Sequence, residues 1–295
     1  MEVRFEMLIG DLFEDEWEER PRNDPKLNKA FKAAVYSNHS ESEEHALQLL
    51  RSNYKNIVIA LNQFSKGDQI YRGVSLTNDV VMIDPTKATR AAANTSNFMN
   101  MLVSNILPSW SGWPPRDHSL ICTTDWSTAR GYGGTGGSYE KGPHVVLPFG
   151  DPVIGICGAT DFWGSFEGLY PPSMNDMFEN VVKDYLHRPI GQTPEQLKKD
   201  LLDLSAHLAA NPADKLEILD NWGSEYKPLL QSANWIQGLS EMLEPNKNRF
   251  SRIKLSALAG HFAGANREVW LSAPSLLARR SIVYAFLDEM KNVEI

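Results

Sequence analysis

Apolar positions recur with a helical period in the first part of the chain. Spacings of three and four residues predict an amphipathic helix after Pro25, and a second helix from Ser42 towards Ser65. The apolar faces of the two helices are Leu27, Ala30, Phe31 and Ala34, then Ala46, Leu49, Leu50 and Tyr54. We therefore expect residues 1–64 to form an N-terminal helical region that packs on the rest of the protein.

Short runs rich in β-branched and aromatic residues follow and predict strands. The expected strands are Gln69–Val74, Ser119–Thr124, His144–Leu147, Val153–Cys157, Glu268–Leu271 and Arg280–Phe286. A short apolar helix is expected over Asn97–Leu107. The pattern between 171 and 259 is helical instead, and Thr193-Pro194-Glu195 is typical of a helix start. Because strands stand on both sides of this block, residues 65–295 are predicted to be one α+β domain with a helical insertion at about 171–259.

Charge and cysteine content narrow the possible functions. The chain of 295 residues has 37 acidic and 29 basic side chains, which gives a net charge of −8. This acidic balance argues against a protein that coats nucleic acid or binds anionic membranes. Two cysteines, Cys122 and Cys157, are too few for a disulfide scaffold, and a reducing compartment is expected. The seven histidines have no metal-ligand spacing, so no metal site is predicted.

Targeting signals also bear on location. The sequence has no run of about 20 apolar residues, the length that a spanning helix needs. An acidic run from Asp11 to Glu19 stands where a secretory signal would carry basic and then apolar residues. We expect a cytoplasmic protein, or one that is secreted into a host cell without a signal peptide.

Three segments combine residues that could carry chemistry. Ile70–Ser75 is a predicted strand with Arg72 between an aromatic residue and a glycine. Leu120–Tyr132 is a strand that ends in small hydroxyl residues and continues into a short helix. In the third segment, Asn266–Pro274, Glu268 opens an apolar strand.

In these segments the sequence resembles the arginine-serine-glutamate class of mono-ADP-ribosyltransferases, which includes bacterial toxins and effectors and phage enzymes. The arginine of the class falls on Arg72, and its Ser-Thr-Ser motif on Cys122, Thr123 and Thr124. Its Glu-x-Glu or Gln-x-Glu motif falls on Asn266-Arg267-Glu268. The resemblance covers roughly residues 65 to 295 and implies a two-sheet core, with NAD+ as co-substrate, no metal and a protein as acceptor, possibly a host protein.

The resemblance also implies roles for single residues. Glu268, Arg72 and Thr124 would be catalytic, with Thr124 bonded to the Glu268 carboxylate. The expected NAD+-binding residues are Arg72, Gly73, Cys122, Thr123 and Tyr132. Acceptor recognition would involve Asn266, His261 and Phe262. These residue types suit the reaction, since a carboxylate stabilises the oxocarbenium-like state of glycosidic cleavage and a guanidinium binds phosphate oxygens.

Two residues depart from the pattern of the class. Cys122 stands where the class has serine, and a thiol is a weak hydrogen-bond donor. Asn266 is neither Glu nor Gln, which makes arginine a less expected acceptor side chain. The departures keep two alternatives open: an NAD+ glycohydrolase with water as acceptor, and a catalytically degenerate binding protein on the same fold.

A glycine-rich stretch and the aromatic residues of the helical block also bear on function. Gly131–Gly136 has the G-x-G-x-x-G spacing, but it follows a helix and no helix can continue through Gly142-Pro143, so we interpret it as a loop and not as a dinucleotide fingerprint. In the helical block, aromatic residues are candidates for an exposed contact with the acceptor protein. These are Trp222, Tyr226 and Trp235.

Overall fold

Nine antiparallel strands form one hydrogen-bonded sheet in the computed structural model, which describes residues 36–74, 78–90, 97–132, 143–166, 169, 171–262 and 265–293. In chain order the strands are β1 (Tyr36–His39), β2 (Tyr71–Arg72), β3 (Val80–Ile83), β4 (Leu120–Thr123), β5 (His144–Pro148), β6 (Val153–Ile156), β7 (Ser251–Lys254), β8 (Glu268–Leu271) and β9 (Ser275–Arg279). Their order across the sheet is β1-β3-β9-β5-β2-β4-β8-β6-β7. The expected α+β class is confirmed.

The two-residue strand β2 joins two four-stranded halves of this sheet. On one side Tyr71 and Arg72 pair with Val145 and His144 of β5, and on the other Tyr71 pairs with Thr123 of β4. The expectation of two separate sheets was therefore wrong for the described strands. Two blocks of four strands exist, but β2 keeps them in one hydrogen-bonded ladder.

Ten α-helices are found in the described residues. They are α1 (Glu43–Ser52), α2 (Tyr54–Ser65), α3 (Asn97–Met101), α4 (Trp126–Tyr132), α5 (Pro171–Leu186), α6 (Pro194–Ala210), α7 (Pro212–Trp222), α8 (Lys227–Gln231), α9 (Trp235–Met242) and α10 (Arg280–Val293). Local signals explain two starts. The Ser42 hydroxyl accepts from the His45 amide at α1, and the Thr193 hydroxyl accepts from the Gln196 amide at α6, where Pro194 opens the helix.

The N-terminal region is only partly as predicted. Helices α1 and α2 are confirmed, and the helix expected around Leu27–Ala34 lies outside the described residues. Strand β1 was not predicted, and it pairs with β3 along the edge of the sheet. Part of the segment 1–64 thus belongs to the sheet itself, so it is not a purely helical addition.

The segment Arg280–Phe286 is helical, and the prediction of a closing strand there was wrong. Ile282, Val283 and Phe286 are buried, whereas Ser281 and Tyr284 are exposed. This spacing is helical, but the β-branched and aromatic residues in the segment favour a strand on propensity alone. The strand is instead Ser275–Arg279, whose side chains are nearly all buried and therefore show no alternation.

The helical block holds five helices, α5 to α9, and its expected end at 259 was wrong. Strand β7 lies inside that range and pairs with β6 along four residues. The described helices of the block therefore end at Met242, and the chain returns to the sheet at Ser251.

The two faces of the sheet bury separate apolar clusters. One contains α1, α2 and α10 side chains with Val269 and Leu271 of β8. The other contains side chains of α5, α6 and α9 with Trp270 of β8. The alternation along β8 follows from the pleat of a strand. The sheet is thus the wall between a layer made by the terminal helices and a layer made by the helical block.

The aromatic residues expected on the outside of the helical block are not exposed anchors. Tyr226 and Trp235 are each 1% exposed and belong to the second cluster, and Trp222 is half-buried against it. Large apolar side chains that do reach solvent in this block are Leu202 and Leu216. In the described part of the chain, no helix combines the length and apolar character needed to cross a bilayer.

Candidate active site

Three neighbouring strands, β2, β4 and β8, bring the three sequence motifs together. Tyr71 of β2 pairs with Thr123 of β4, and Thr123 pairs in turn with Glu268 of β8. Arg72, next to Tyr71, donates from Nη1 to the backbone carbonyl of Ile121 in β4. Residues almost two hundred positions apart in the sequence are thus brought together on three neighbouring strands.

The Glu268 side chain is held by Arg116. Arg116 Nη1 donates to Glu268 Oε1 over 2.7 Å, and the two side chains are 6% and 16% exposed. Cys157 Sγ lies 4.0 Å from the same oxygen. A carboxylate this far from water keeps its charge at low cost only with a cationic partner, and Arg116 is that partner.

Aromatic rings surround Arg116. Its guanidinium lies 3.8 Å from the centroid of Phe162 and 5.2 Å from that of Trp270. Trp270 is fixed in turn, because its indole N–H donates to the Pro114 carbonyl over 2.8 Å. Its ring also lies over Gly155, where a Cβ would come within 2.2 Å of the indole. Arg116 therefore points at Glu268 from a rigid apolar support.

A third arginine, Arg90, belongs to the same neighbourhood. Its backbone N–H donates to the carbonyl of Asp117, the residue after Arg116. Burial, together with the like charges of Arg72 and Arg116, lowers the pKa of Arg90 to about 10, so it remains a cation at neutral pH. We call Arg72, Arg90 and Arg116 the arginine cluster.

The arginine cluster has unused hydrogen-bonding capacity. In the described residues, the Nε atoms of Arg72 and Arg116 are buried and have no hydrogen-bond partner. A buried guanidinium N–H without a partner costs free energy. Glu268 pairs with Arg116, and the charges of Arg72 and Arg90 favour the binding of an anion nearby.

The hydroxyl residues of β4 do not hold the carboxylate. Thr124 Oγ1 donates to the Ala265 carbonyl over 2.5 Å and accepts from the Arg267 amide over 3.0 Å. The expected bond from Thr124 to Glu268 was therefore wrong. Both contacts lie in the segment that precedes β8, so Thr124 fixes where the strand of Glu268 begins and does not touch its carboxylate.

The residues expected to recognise an acceptor differ in surroundings. Asn266 is exposed, but both ends of its amide are engaged: Oδ1 accepts from Thr123 Oγ1 over 3.2 Å, and Nδ2 donates to Thr128 Oγ1 over 2.8 Å. Phe262 is 5% exposed and belongs to the first apolar cluster, so its predicted recognition role was wrong. His261 is exposed on the same loop.

The remaining predicted NAD+-binding residues are Gly73 and Tyr132. Gly73 directly follows β2 and is half-buried. Tyr132 ends α4, and its side chain lies outside the described part of the structure.

Both cysteines are buried beside the site and stay protonated. Burial raises the pKa of the Cys122 thiol to about 12, although the nearby Arg72 opposes the shift. Burial, and then the charge of Glu268, raises the pKa of Cys157 well above its usual value. Neither thiol is therefore a nucleophile at neutral pH. Cys122 lies beside Arg72 and belongs to the first apolar cluster, and its expected role in lining the site stays a prediction.

Sequence reasoning missed Arg116 and Arg90. Arg116 stands in the loop after Pro114-Pro115, and Arg90 follows the short helical turn that begins at Pro85, so neither has a strand or helix period around it. Their role depends on where two irregular segments meet in space. In the described ranges, no group of three or more His, Cys, Asp or Glu side chains is arranged to hold a metal ion.

A separate groove of about 520 Å³ lies between α2 and α10. Its lining includes Phe64, Tyr284 and Leu287, and none of the arginine cluster.

Comparison of the chain with protein-family models, with curated proteins and with solved structures gives no match. The case for a function therefore depends on the geometry of the site.

Proposed function

We propose that this protein is an NAD+-dependent mono-ADP-ribosyltransferase that modifies a protein side chain other than arginine, as a bacterial effector or toxin or a phage enzyme. One observation carries the proposal. The three motifs that resemble the arginine-serine-glutamate class lie on the adjacent strands β2, β4 and β8, where Thr123 pairs with Tyr71 on one side and with Glu268 on the other.

The charge of the site suits a dinucleotide. NAD+ carries two phosphate groups, and Arg72 and Arg90 offer two guanidinium groups next to Arg116, whose own guanidinium is paired with Glu268. Arginine binds phosphate oxygens with its planar fork, so Arg72 and Arg90 are the phosphate-binding residues of the proposal. The overall charge of −8 does not oppose this binding, because the effect of a buried cluster is local.

Glu268 supplies the group that the reaction needs. The bond between nicotinamide and C1′ of the ribose breaks, nicotinamide leaves with the bonding electrons, and positive charge develops on the ribose. A carboxylate already oriented towards that charge stabilises the transition state more than the ground state. The acceptor nucleophile then bonds to C1′ and gives up its proton.

A second candidate, an NAD+ glycohydrolase, has an observation of its own in its favour. The position that selects the acceptor in the resembling class is Asn266, and both ends of its amide are bound to Thr123 and Thr128. An amide held at both ends has fewer orientations in which its remaining donor and acceptor can bind an acceptor side chain. Water would then take the place of the acceptor nucleophile.

Incubation with NAD+ labelled in the adenylate part separates these functions. The purified protein and a cell lysate would be assayed for nicotinamide release, labelled protein and free ADP-ribose. Label on a lysate protein supports the transferase, and free ADP-ribose alone supports the glycohydrolase. Absence of nicotinamide release with both water and lysate would contradict both enzymes and leave the binding protein. Glu268→Gln is the matched control, since it removes the charge and keeps the shape.

A further inference from the structure

The described structure gives the Glu268 carboxylate one strong partner, and it comes from no motif. Arg116 Nη1 lies 2.7 Å from Oε1, and the weaker contact of the Cys157 thiol, at 4.0 Å, ends at the same oxygen. In the described residues both contacts thus end at Oε1, and neither reaches the other carboxylate oxygen, Oε2. The hydroxyl of Thr124, which was expected to hold the carboxylate, is occupied by the backbone of residues 265 and 267.

The support beneath Arg116 is a packed group of aromatic rings. The guanidinium rests on Phe162 at 3.8 Å, and Phe162 belongs to a group of six rings whose neighbouring centroids lie 5.1–6.4 Å apart. These rings are Trp110, Trp113, Phe162, Phe166, Phe250 and Trp270. Packing on one face and the ion pair at the tip together leave the Arg116 side chain few alternative rotamers. Five of the six rings are buried and already ordered by packing, so holding Arg116 against them costs little further conformational entropy.

We propose that Arg116 is the positioning residue of Glu268. The inference rests on the proposed function and adds a residue to it. Arg116 holds Oε1 and so aims Oε2 at the ribose, a task that the hydroxyl motif was expected to perform. Since the carboxylate acts on charge that develops only in the transition state, loss of its orientation lowers kcat and leaves substrate affinity largely unchanged.

Kinetic analysis of nicotinamide release by the full chain tests this. Arg116→Met keeps the stem and removes the charge, and we expect kcat to fall about a hundredfold with KM changed less than about threefold. Arg116→Lys keeps a charge without the fork and should recover about tenfold of that loss. Phe162→Leu removes the ring under the guanidinium and should lower kcat by an intermediate factor, which keeps the test open if Arg116→Met does not fold.

Arg252→Met is the matched control. Arg252 lies on the same aromatic group, 6.0 Å from the Trp113 centroid, and donates to the Ser111 carbonyl, away from Glu268. The kcat of Arg252→Met should stay within about twofold of the wild type.

A raised KM with unchanged kcat in Arg116→Met would make Arg116 a substrate-binding residue and overturn the proposal. Unchanged values of both constants would make the pair structural only. If the wild type releases no nicotinamide, the proposed function fails. If the wild type is active and Arg116→Met is equally active, only the positioning role of Arg116 fails.

Discussion

At the scale of single residues, the Glu268–Arg116 pair ties the proposed catalysis to stability. Both partners are nearly buried, at 16% and 6% exposure of the side chain. Removal of one partner from such a pair leaves the other charge without compensation, which typically costs about 3–5 kcal/mol. A loss of activity after truncation of Glu268 can thus come from unfolding as well as from lost chemistry.

We therefore predict different outcomes for two replacements of Glu268. Glu268→Gln should lower NAD+ cleavage by about a hundredfold or more, because the charge is gone, while the free energy of unfolding falls by only about 1–2 kcal/mol. Glu268→Ala should lose about 3 kcal/mol or more of that free energy. Urea unfolding and nicotinamide release measure the two effects. Wild-type cleavage rates in Glu268→Gln would rule Glu268 out as the catalytic acid.

Cys122 gives a prediction about alkaline pH. Its pKa is about 12 in the folded protein, against an ordinary value of 9.0. The folded state therefore keeps a proton that the unfolded state loses, and stability must fall as pH rises from about 9 towards 12. At pH 8 the thiol should react with iodoacetamide only as fast as the protein opens, and Cys157 should behave alike.

Labelling by mass spectrometry across pH 7–10, with urea-unfolded protein as reference, checks this. Cys122→Ala should make the decline of stability above pH 9 less steep, since the proton difference at Cys122 is gone and only that at Cys157 remains. Rapid alkylation of the native thiol at pH 8 would mean that Cys122 is exposed or ionised, contrary to the structure.

The residue scale also shows what sequence could and could not predict. Arg72 and Glu268 were predicted because the segments around them resemble motifs of a known class and each lies on a predicted strand. Arg116 was missed because its partner is 152 positions away and its support comes from rings on several segments. Thr124 was expected to bond to Glu268, but the sequence of a strand does not show whether a hydroxyl bonds to a side chain or to the backbone of a neighbouring segment.

At the scale of elements, short apolar runs bounded by turn residues were the most predictable strands, even where every residue is buried, as in β5. Strands β4, β5, β6 and β8 were expected close to their observed bounds. Strand β9 runs directly into α10, and α10 was taken for the strand because it opens with β-branched residues. Strand β7 was missed because it is mostly exposed and polar, with Arg252 and Lys254 on the edge of the sheet.

Strand β6 carries a prediction of its own. A Cβ at Gly155 would lie 2.2 Å from the Trp270 indole, and that ring is the neighbour of Arg116. We expect Gly155→Ala to cost about 1–3 kcal/mol by overpacking and to lower NAD+ cleavage as well, because Trp270 must move. Thermal unfolding and nicotinamide release measure these two losses.

Gly131→Ala is the matched control for Gly155→Ala. Gly131 lies in α4, and a Cβ there meets nothing within 4 Å. The change should leave stability equal or raise it by up to about 1 kcal/mol, as expected for a glycine replaced within a helix. Equal stability of both variants would contradict the packing of Trp270 over β6.

At the scale of the whole molecule, an acidic protein encloses a basic site. The chain has a net charge of −8, yet the arginine cluster holds three cations near one carboxylate. We predict that inorganic pyrophosphate competes with NAD+ and that its binding weakens as salt increases. Calorimetric titration with pyrophosphate at two salt concentrations measures both effects.

Replacement of Arg90 tests whether this residue belongs to the anion site. Arg90→Met should lower pyrophosphate affinity about tenfold or more, the usual effect of losing a hydrogen bond between charged groups. Arg51→Met is the control, because Arg51 is an exposed arginine that pairs with Glu44 and Glu289 on the surface. If the two variants bind pyrophosphate equally well, Arg90 is not part of an anion site.

The narrow strand β2 has a consequence for the integrity of the candidate site. Arg90 follows β3 in one four-stranded half of the sheet, Glu268 and its partner strand belong to the other half, and Arg72 stands on the two-residue strand that joins them. The candidate site therefore takes residues from both halves and exists only while β2 holds them in one ladder. A local opening at these two residues would take the site apart even if each half kept its own strands paired.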